Sequence, residues 1–226
     1  MAPALSDRRP ARRLPGSFLA ALAVACGIVA VSLFTVGLRQ TLISETAGLE
    51  LASAVTLWWA AVVALVWAVR AGLARFWAVP LGIVLLALRE HDFQNWFFDP
   101  GLVRVDLLTG PALLWQKAVG LAVLLLILAT LIRLAWLGWR PMLAGLRTRA
   151  GWAWALLTGI ALAALSTQVD GLGGDLDRAG WALGETRRAA LLLAEEAAEL
   201  AFALSVMLAT SLARRTGAGP SPTFAT

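Results

Sequence analysis

Long apolar segments separated by short polar breaks make up most of this chain. Each segment holds about 20 residues, which is the length a helix needs to cross a ~30 Å hydrocarbon core. Inside lipid every backbone polar group must be hydrogen-bonded within the segment, so helices are expected. The pattern predicts an all-α, polytopic integral membrane protein with six transmembrane helices in one bundle. The predicted spans are residues 18–38, 51–69, 76–96, 112–135, 151–169 and 189–213.

The second segment gives the clearest signal, because residues 51–69 contain no ionisable side chain and lie between Glu50 and Arg70. The first segment follows several arginines, as the apolar part of a signal peptide does. Its apolar stretch continues past Cys26 to Leu38, however, and that length favours a retained first helix.

Proline and glycine mark the predicted breaks and tails. A helix end is expected at Arg140–Pro141, and residues 170–177 are expected to form a solvated turn. Residues 1–16 are predicted to be a basic cytoplasmic tail, and residues 17–213 the six-helix transmembrane domain. Residues 214–226 are rich in Gly, Pro, Ser and Thr and are predicted to be a disordered cytoplasmic tail.

Composition supports the membrane class. The chain is 60% hydrophobic and 15% charged, whereas a soluble domain is about 25% charged. A single cysteine excludes an intramolecular disulfide. The net charge of +5 comes from arginines that flank apolar segments and form no patch, so we predict no nucleic-acid partner. The predicted partner is the lipid bilayer, and the sequence leaves the oligomeric state and any partner subunit open.

The arginines predict the orientation. With the N-terminus inside, the cytoplasmic side receives Arg8, Arg9, Arg12, Arg13, Arg70, Arg75, Arg140, Arg147, Arg149, Arg214 and Arg215. The outer side receives fewer arginines, namely Arg39, Arg104, Arg178, Arg187 and Arg188. Because cytoplasmic loops of membrane proteins are enriched in Lys and Arg, this asymmetry predicts a cell inner (plasma) membrane protein with both termini in the cytoplasm.

Acidic residues gather on the predicted outer side, where Asp7 is the sole exception among 14. Ionisable groups from five predicted helices therefore share one depth in the outer leaflet. Glu195, Glu196 and Glu199 lie deepest, about 9–15 Å along the helix axis from Ala189. A charged side chain within hydrocarbon costs roughly 2.5–3.5 kcal/mol, and such residues are functional candidates for that reason. Helical spacing lets Glu199 share a face with Glu195 or Glu196.

The third segment contributes a polar run, residues 89–95, which we predict to continue its helix. Arg89 would then meet Asp92, Glu90 would meet Gln94, and His91 would meet Asn95. His91 is the chain's single histidine. Imidazole beside carboxylates can transfer protons or bind a metal. A metal site would use Glu195, Glu199, His91 and Asp92, and its oxygen-rich ligands would favour Mg²⁺, Mn²⁺ or Ca²⁺.

These residues favour a membrane-embedded enzyme that performs acid–base or metal-assisted chemistry on a lipid or lipid-linked substrate. The predicted catalytic residues are Glu195, Glu196, Glu199, Glu90 and His91. The predicted substrate-binding residues are Arg89, Lys117, Glu50 and Gln94.

Two other functions stay open. A non-catalytic subunit or assembly factor would use the cluster to hold helices or a partner, with a glutamate paired to Arg89 or Lys117. A proton- or cation-coupled transporter needs polar groups on both sides of the midplane, and Arg133 is the sole ionisable candidate in the inner halves.

Overall fold

The computed structural model describes residues 14–37, 48–91, 93–95, 101–179 and 184–216; side chains at positions 94, 105, 170, 171, 173–175, 177 and 216 lie outside the description. Of the described residues 88% are helical, and no strand occurs among them. The α-helices are α1 (Gly16–Thr35), α2 (Leu49–Ala71), α3 (Leu73–Phe76), α4 (Ala78–Glu90), α5 (Val105–Thr109), α6 (Leu114–Arg147), α7 (Gly151–Arg178) and α8 (Glu185–Thr216). The all-α prediction is confirmed.

Four helices are long and apolar enough to cross a membrane, which confirms the membrane-like character that the sequence predicts. These are α1, α2, α6 and the Gly151–Val169 part of α7. The third predicted span corresponds to α3 and α4, which are separated by Trp77 alone; together they cover about 27 Å along the axis. The sixth predicted span lies within α8, whose axis is about 48 Å long.

Helix α2 lies at the centre of the bundle and packs against α1, α4 and α8. Small side chains on α2 allow this close packing, since Ala52, Ala60, Ala64 and Ala68 are completely buried. In lipid no hydrophobic force drives helices together, so small residues that bring backbones close supply the van der Waals contact. Larger residues from α8, among them Phe202 and Met207, complete this core.

The predicted break at Arg140–Pro141 is wrong, because α6 continues through Pro141 to Arg147. Proline removes one backbone hydrogen bond, and a long helix tolerates that loss in membrane proteins when its neighbours remain bonded. The helix ends instead near Arg149, which adopts a positive φ of 54°. Gly145 of α6 then packs directly against Trp152 and Ala153 of α7. This close contact fixes the α6–α7 turn.

The predicted solvated turn at residues 170–177 is also wrong, since α7 remains helical to Arg178. Helices α7 and α8 form the most extensively packed pair in the described chain. Gly151 faces Leu212, and Gly159 faces Ser205, at successive levels of this antiparallel pair. Packing of this kind offsets the weak helix propensity of glycine, which costs about 1 kcal/mol per residue.

The polar run after Arg89 does not continue its helix. Helix α4 ends at Glu90, His91 caps it, and residues Phe93–Asn95 form a short 3₁₀ turn. The predicted helical pairing of His91 with Asn95 is therefore wrong. Phe93 is the one apolar side chain in this run, so a further helical turn would bury little against the bundle, and helix stability in proteins comes mainly from such burial.

Candidate functional site

Five glutamates from three helices converge at one end of the bundle. Glu50 lies in the first turn of α2, Glu90 is the last residue of α4, and the other three belong to α8. The charges of Glu50, Glu90, Glu195 and Glu199 all act on Glu196. The structure therefore brings together the carboxylates that the sequence predicted to share a depth.

Glu196 is at the centre of this glutamate cluster. Its side chain is about half-buried, and its Oε2 atom is inaccessible to water and accepts no hydrogen bond from the described chain. A buried carboxylate oxygen without a donor is unfavourable, because it has lost hydration and gained no replacement. The Oε2 of Glu50 is also buried without a hydrogen-bond donor in the described chain, so Glu196 is the central one of two cluster members with an unsatisfied carboxylate oxygen.

Glu90 is held by a buried serine. Only 9% of Glu90 is exposed, and its Oε2 lies 3.3 Å from the Oγ of Ser53, which is completely buried on α2. The same hydroxyl lies 2.8 Å from the backbone oxygen of Glu50. Ser53 therefore contacts both the end of α4 and the first turn of α2, and fixes two of the five glutamates relative to each other.

Glu199 is held by a cation and a hydroxyl. Its Oε1 accepts a hydrogen bond of 3.5 Å from Nη2 of Arg89 and one of 3.2 Å from Oγ of Ser166. Ser166 is buried on α7, whereas Arg89 is 54% exposed and Glu199 only 17%. Glu199 is therefore the glutamate of the cluster that contacts Arg89 in the structure.

Other predicted site residues make no described contact with this cluster or lie outside the described residues. The side chains of His91 and Lys117 form no hydrogen bond or ion pair with any described residue. Lys117 belongs to α6, which packs mainly against α4, α5 and α7. Asp92, and the side chain of Gln94, fall outside the described residues. Their roles stay predictions.

The geometry bears on the proposed metal site. Among the described residues, no three His, Cys, Asp or Glu side chains converge closely enough to hold a metal ion. The glutamates instead use serine and arginine as neighbours, which leaves acid–base chemistry or binding of a cationic or hydroxylic group as the chemistry this arrangement supports.

Ser53 and Ser166 were missed in the sequence. Each is a small hydroxyl in a mainly apolar stretch, which also contains threonines such as Thr56 and Thr167, at the predicted depth of the glutamates. Their level along the helices could have identified them in the sequence. A hydroxyl within an apolar segment can hydrogen-bond to its own helix backbone or to a carboxylate at the same level. Their positions on α2 and α7 also show that four helices contribute to the site.

An apolar groove lies away from the glutamate cluster. A groove of about 320 Å³ between α2 and α4 contains none of the predicted site residues; its lining includes Trp58, Leu65, Leu73, Trp77 and Leu81. Its walls are almost entirely apolar, so it offers no chemistry. The glutamate cluster remains the candidate site.

Comparison with known proteins adds no family to this picture. No protein-family model, no curated protein and no solved structure matches this chain.

Proposed function

We propose that the chain crosses the inner membrane six times, with both termini in the cytoplasm and the glutamate cluster in the outer leaflet. Glu50 and Arg70 are separated by about 30 Å along α2, which is the thickness of the hydrocarbon core. Glu199 lies about 22 Å from Arg214 along α8, so it would be inside the core near the outer boundary. The arginine distribution supports the orientation.

We infer that the protein is a membrane-embedded enzyme that performs acid–base chemistry on a lipid or lipid-linked substrate. The observation that carries this proposal is Glu196, whose buried oxygen has no donor among the described residues and whose neighbours are four more carboxylates. A purely structural cluster would be expected to satisfy its central member. A substrate hydroxyl or amine would supply the missing donor and could lose its proton to the carboxylate.

The neighbours of Glu196 suggest distinct roles. Glu195 and Glu90 would tune the charge at the reacting group, and Glu50 would contact substrate at the mouth of the site. Arg89 is half-exposed beside the cluster, so its guanidinium could bind a phosphate of a lipid-linked substrate while it holds Glu199. His91, Lys117 and Gln94 belong to the same proposed substrate region.

A metal-assisted version of this enzyme is less well supported. Glu195, Glu199, His91 and Asp92 would have to supply the ligands of Mg²⁺, Mn²⁺ or Ca²⁺. Glu199 already accepts hydrogen bonds from Arg89 and Ser166, and a cation at Glu199 would repel the guanidinium. The acid–base version needs no such rearrangement.

A non-catalytic subunit or assembly factor is the second candidate. The observation in its favour is the Arg89–Glu199–Ser166 contact, which links α4, α8 and α7 in one polar connection. Such a connection could serve only to hold the bundle together or to present it to a partner. A proton- or cation-coupled transporter is less favoured, because Arg133 is the one ionisable candidate in the inner halves of the predicted spans.

Lipid turnover tests the enzyme proposal. The purified full-length protein would be incubated with a membrane lipid extract, and its products compared by mass spectrometry with those of Glu196→Gln. Asp106→Asn is the matched control, because Asp106 is an exposed carboxylate on α5 that pairs only with Arg104 at 3.7 Å. We expect turnover by the wild type and the control, and none by Glu196→Gln.

Equal turnover by all three proteins, or none by the wild type across extracts of inner-membrane lipids, would contradict the enzyme proposal. Metal analysis of the same samples addresses the metal-assisted version. A stoichiometric divalent metal in the wild type that is lost in Glu199→Gln would establish that version over the metal-free one.

A further inference from the structure

Arg133 is a charged side chain in a mainly apolar part of helix α6. It lies about 28 Å along α6 from Leu114, and α6 continues for about 21 Å beyond it. One Nη2 hydrogen bond of 3.3 Å joins Arg133 to the backbone oxygen of Arg75 on α3. Its Nε atom is buried and has no hydrogen-bond partner among the described residues. The guanidinium is thus fixed in position but has unused donors.

No carboxylate of the described chain neutralises Arg133. The described glutamates of the bundle lie at the opposite end of α2 and α4, whereas Arg75 follows the Arg70 end of α2. A guanidinium is always charged and has five N–H donors, so it requires an anion when it leaves water. Arg75, which contacts Arg133 through its backbone oxygen, carries a second guanidinium, and this group lies 5.3 Å from the Phe76 ring centroid.

Aromatic rings indicate that this place lies at a membrane surface. The Arg133 guanidinium lies 5.4 Å from the ring centroid of Trp136, and Trp136 is 73% exposed. Trp139, one turn further along α6, is exposed as well. Tryptophans concentrate at the headgroup level of membranes, where a ring can face acyl chains while its N–H meets water.

We propose that Arg133, with Arg75 beside it, binds the phosphate of an anionic phospholipid in the leaflet opposite the glutamate cluster. The lipid phosphate accepts hydrogen bonds from the terminal N–H groups of the guanidinium rather than from the buried Nε, and its acyl chains lie along the apolar surface of α6 toward Leu125 and Leu128, which are exposed. Anionic lipids are the anion available there, since they give the cytoplasmic leaflet its negative charge. The site is independent of the proposed enzyme activity.

Lipid titration of the purified full-length protein in detergent tests the proposal. The protein would be titrated with phosphatidylglycerol or with phosphatidylcholine of identical acyl chains. Native mass spectrometry would count the lipid molecules that the protein retains, and the melting temperature would be measured at each lipid concentration. We expect the wild type to retain phosphatidylglycerol preferentially and to melt at higher temperature with it. Arg133→Gln should weaken phosphatidylglycerol binding by about tenfold, the value of one strong charge-assisted contact.

Arg140→Gln is the matched control, because Arg140 is an exposed arginine on the same helix. It should change binding by less than about twofold, whereas Arg133→Lys, which retains the charge without the planar fork, should give an intermediate loss.

Equal retention of the two lipids by the wild type would overturn the proposal without any variant. An equal loss in Arg140→Gln would also overturn it, since general surface charge would then explain binding. Displacement of phosphatidylglycerol by millimolar inorganic phosphate would show a free-phosphate site in its place. If Arg133→Gln does not fold, Arg133→Lys and Arg75→Gln still distinguish these results.

Discussion

Arg89 on α4 and Glu199 on α8 form an ion pair of 3.5 Å in which the cation is half-exposed and the carboxylate largely buried. The pair joins two helices that are remote in sequence and brings a guanidinium into direct contact with the glutamate cluster. Because the two partners differ in exposure, their removal should have unequal consequences.

Arg89→Gln should lower the free energy of unfolding by about 1 kcal/mol, the upper part of the range for exposed pairs, because Glu199 loses its cation and water replaces it poorly. In that background, Glu199→Gln should cost less than it does in the wild type. A thermal double-mutant cycle in detergent measures this coupling. Additive effects of the two substitutions would show that the pair does not act as a unit.

Ser166→Ala should lower the free energy of unfolding by about 1.5–3 kcal/mol, because it removes a buried hydrogen bond to a charged group. Ser205→Ala is the control, since its hydroxyl bonds only to the backbone oxygen of Ala201 in its own helix. That bond adds little to stability, so the control should change by less than about 0.5 kcal/mol. The prediction fails if the two serine variants unfold at the same temperature.

The choice of partners in this site shows where sequence reasoning succeeds and where it stops. Charge order along the chain predicted that Glu50, Glu90 and Glu199 lie at one level of the bundle, because the positions of the apolar segments set that level, and the structure brings them together. Which cation pairs with Glu199 depends on which helices are neighbours. Lys117 shares the predicted depth of Arg89, but it belongs to α6, which packs mainly on α4, α5 and α7 rather than on α8, the helix of Glu199. No pattern along the chain predicts which helices become neighbours.

The same distinction explains the errors at helix ends. Pro141 and the glycines between residues 170 and 177 are local signals for a break, yet both lie inside helices. Helix α7 packs extensively along α8, and Gly145 packs against Ala153 where α6 meets α7, whereas the local signals say nothing about either contact. Conversely, the polar run after Glu90 looked helical by spacing but lacks a face to bury.

Gly145→Ala and Gly138→Ala should change stability in opposite directions. A methyl group at Gly145 would meet Cβ of Ala153 at 2.8 Å and Cζ2 of Trp152 at 2.9 Å, so the α6–α7 turn must shift, at about 1–3 kcal/mol. Gly138 on the same helix has no atom within 4 Å of such a methyl. The second variant should therefore gain up to about 1 kcal/mol from helix propensity.

Thermal unfolding of both glycine variants, side by side with the wild type, provides the measurement. A stabilised Gly145→Ala would mean that α6 and α7 are further apart than their described contact implies. A destabilised Gly138→Ala would place a partner surface against that face of α6.

Cysteine labelling in intact cells should report the proposed orientation. In a Cys26→Ala background, Thr148→Cys at the exposed α6–α7 turn should react with a membrane-impermeant maleimide only after the membrane is opened. Gly184→Cys, just before α8, should react in intact cells, because the proposal places it outside. If Thr148→Cys reacted in intact cells and Gly184→Cys did not, the orientation would be the reverse of the proposed one. If both cysteines reacted equally in intact cells, the chain would not cross the membrane between the two positions.

The proposed role of Glu196 has a consequence that requires no knowledge of the substrate. Glu196 is repelled by four carboxylates and has an oxygen without a hydrogen-bond donor in the described chain, so its charge opposes folding. Glu199, in contrast, accepts hydrogen bonds from Arg89 and Ser166. The proposal makes Glu196 a residue retained for chemistry at a cost in stability, whereas Glu199 holds the fold together. Substitution by the neutral glutamine should therefore raise the free energy of unfolding at Glu196 and lower it at Glu199.

The most direct test is therefore the melting temperature of Glu196→Gln and Glu199→Gln in the same detergent. We expect Glu196→Gln to melt at a higher temperature than the wild type, because the amide can donate hydrogen bonds to the surrounding carboxylates. The corresponding gain in the free energy of unfolding is about 0.5–2 kcal/mol. Glu199→Gln should melt below the wild type, by about 1–2 kcal/mol. A Glu196→Gln protein that melts well below the wild type would contradict the proposal, since Glu196 would then be a structural member of the bundle.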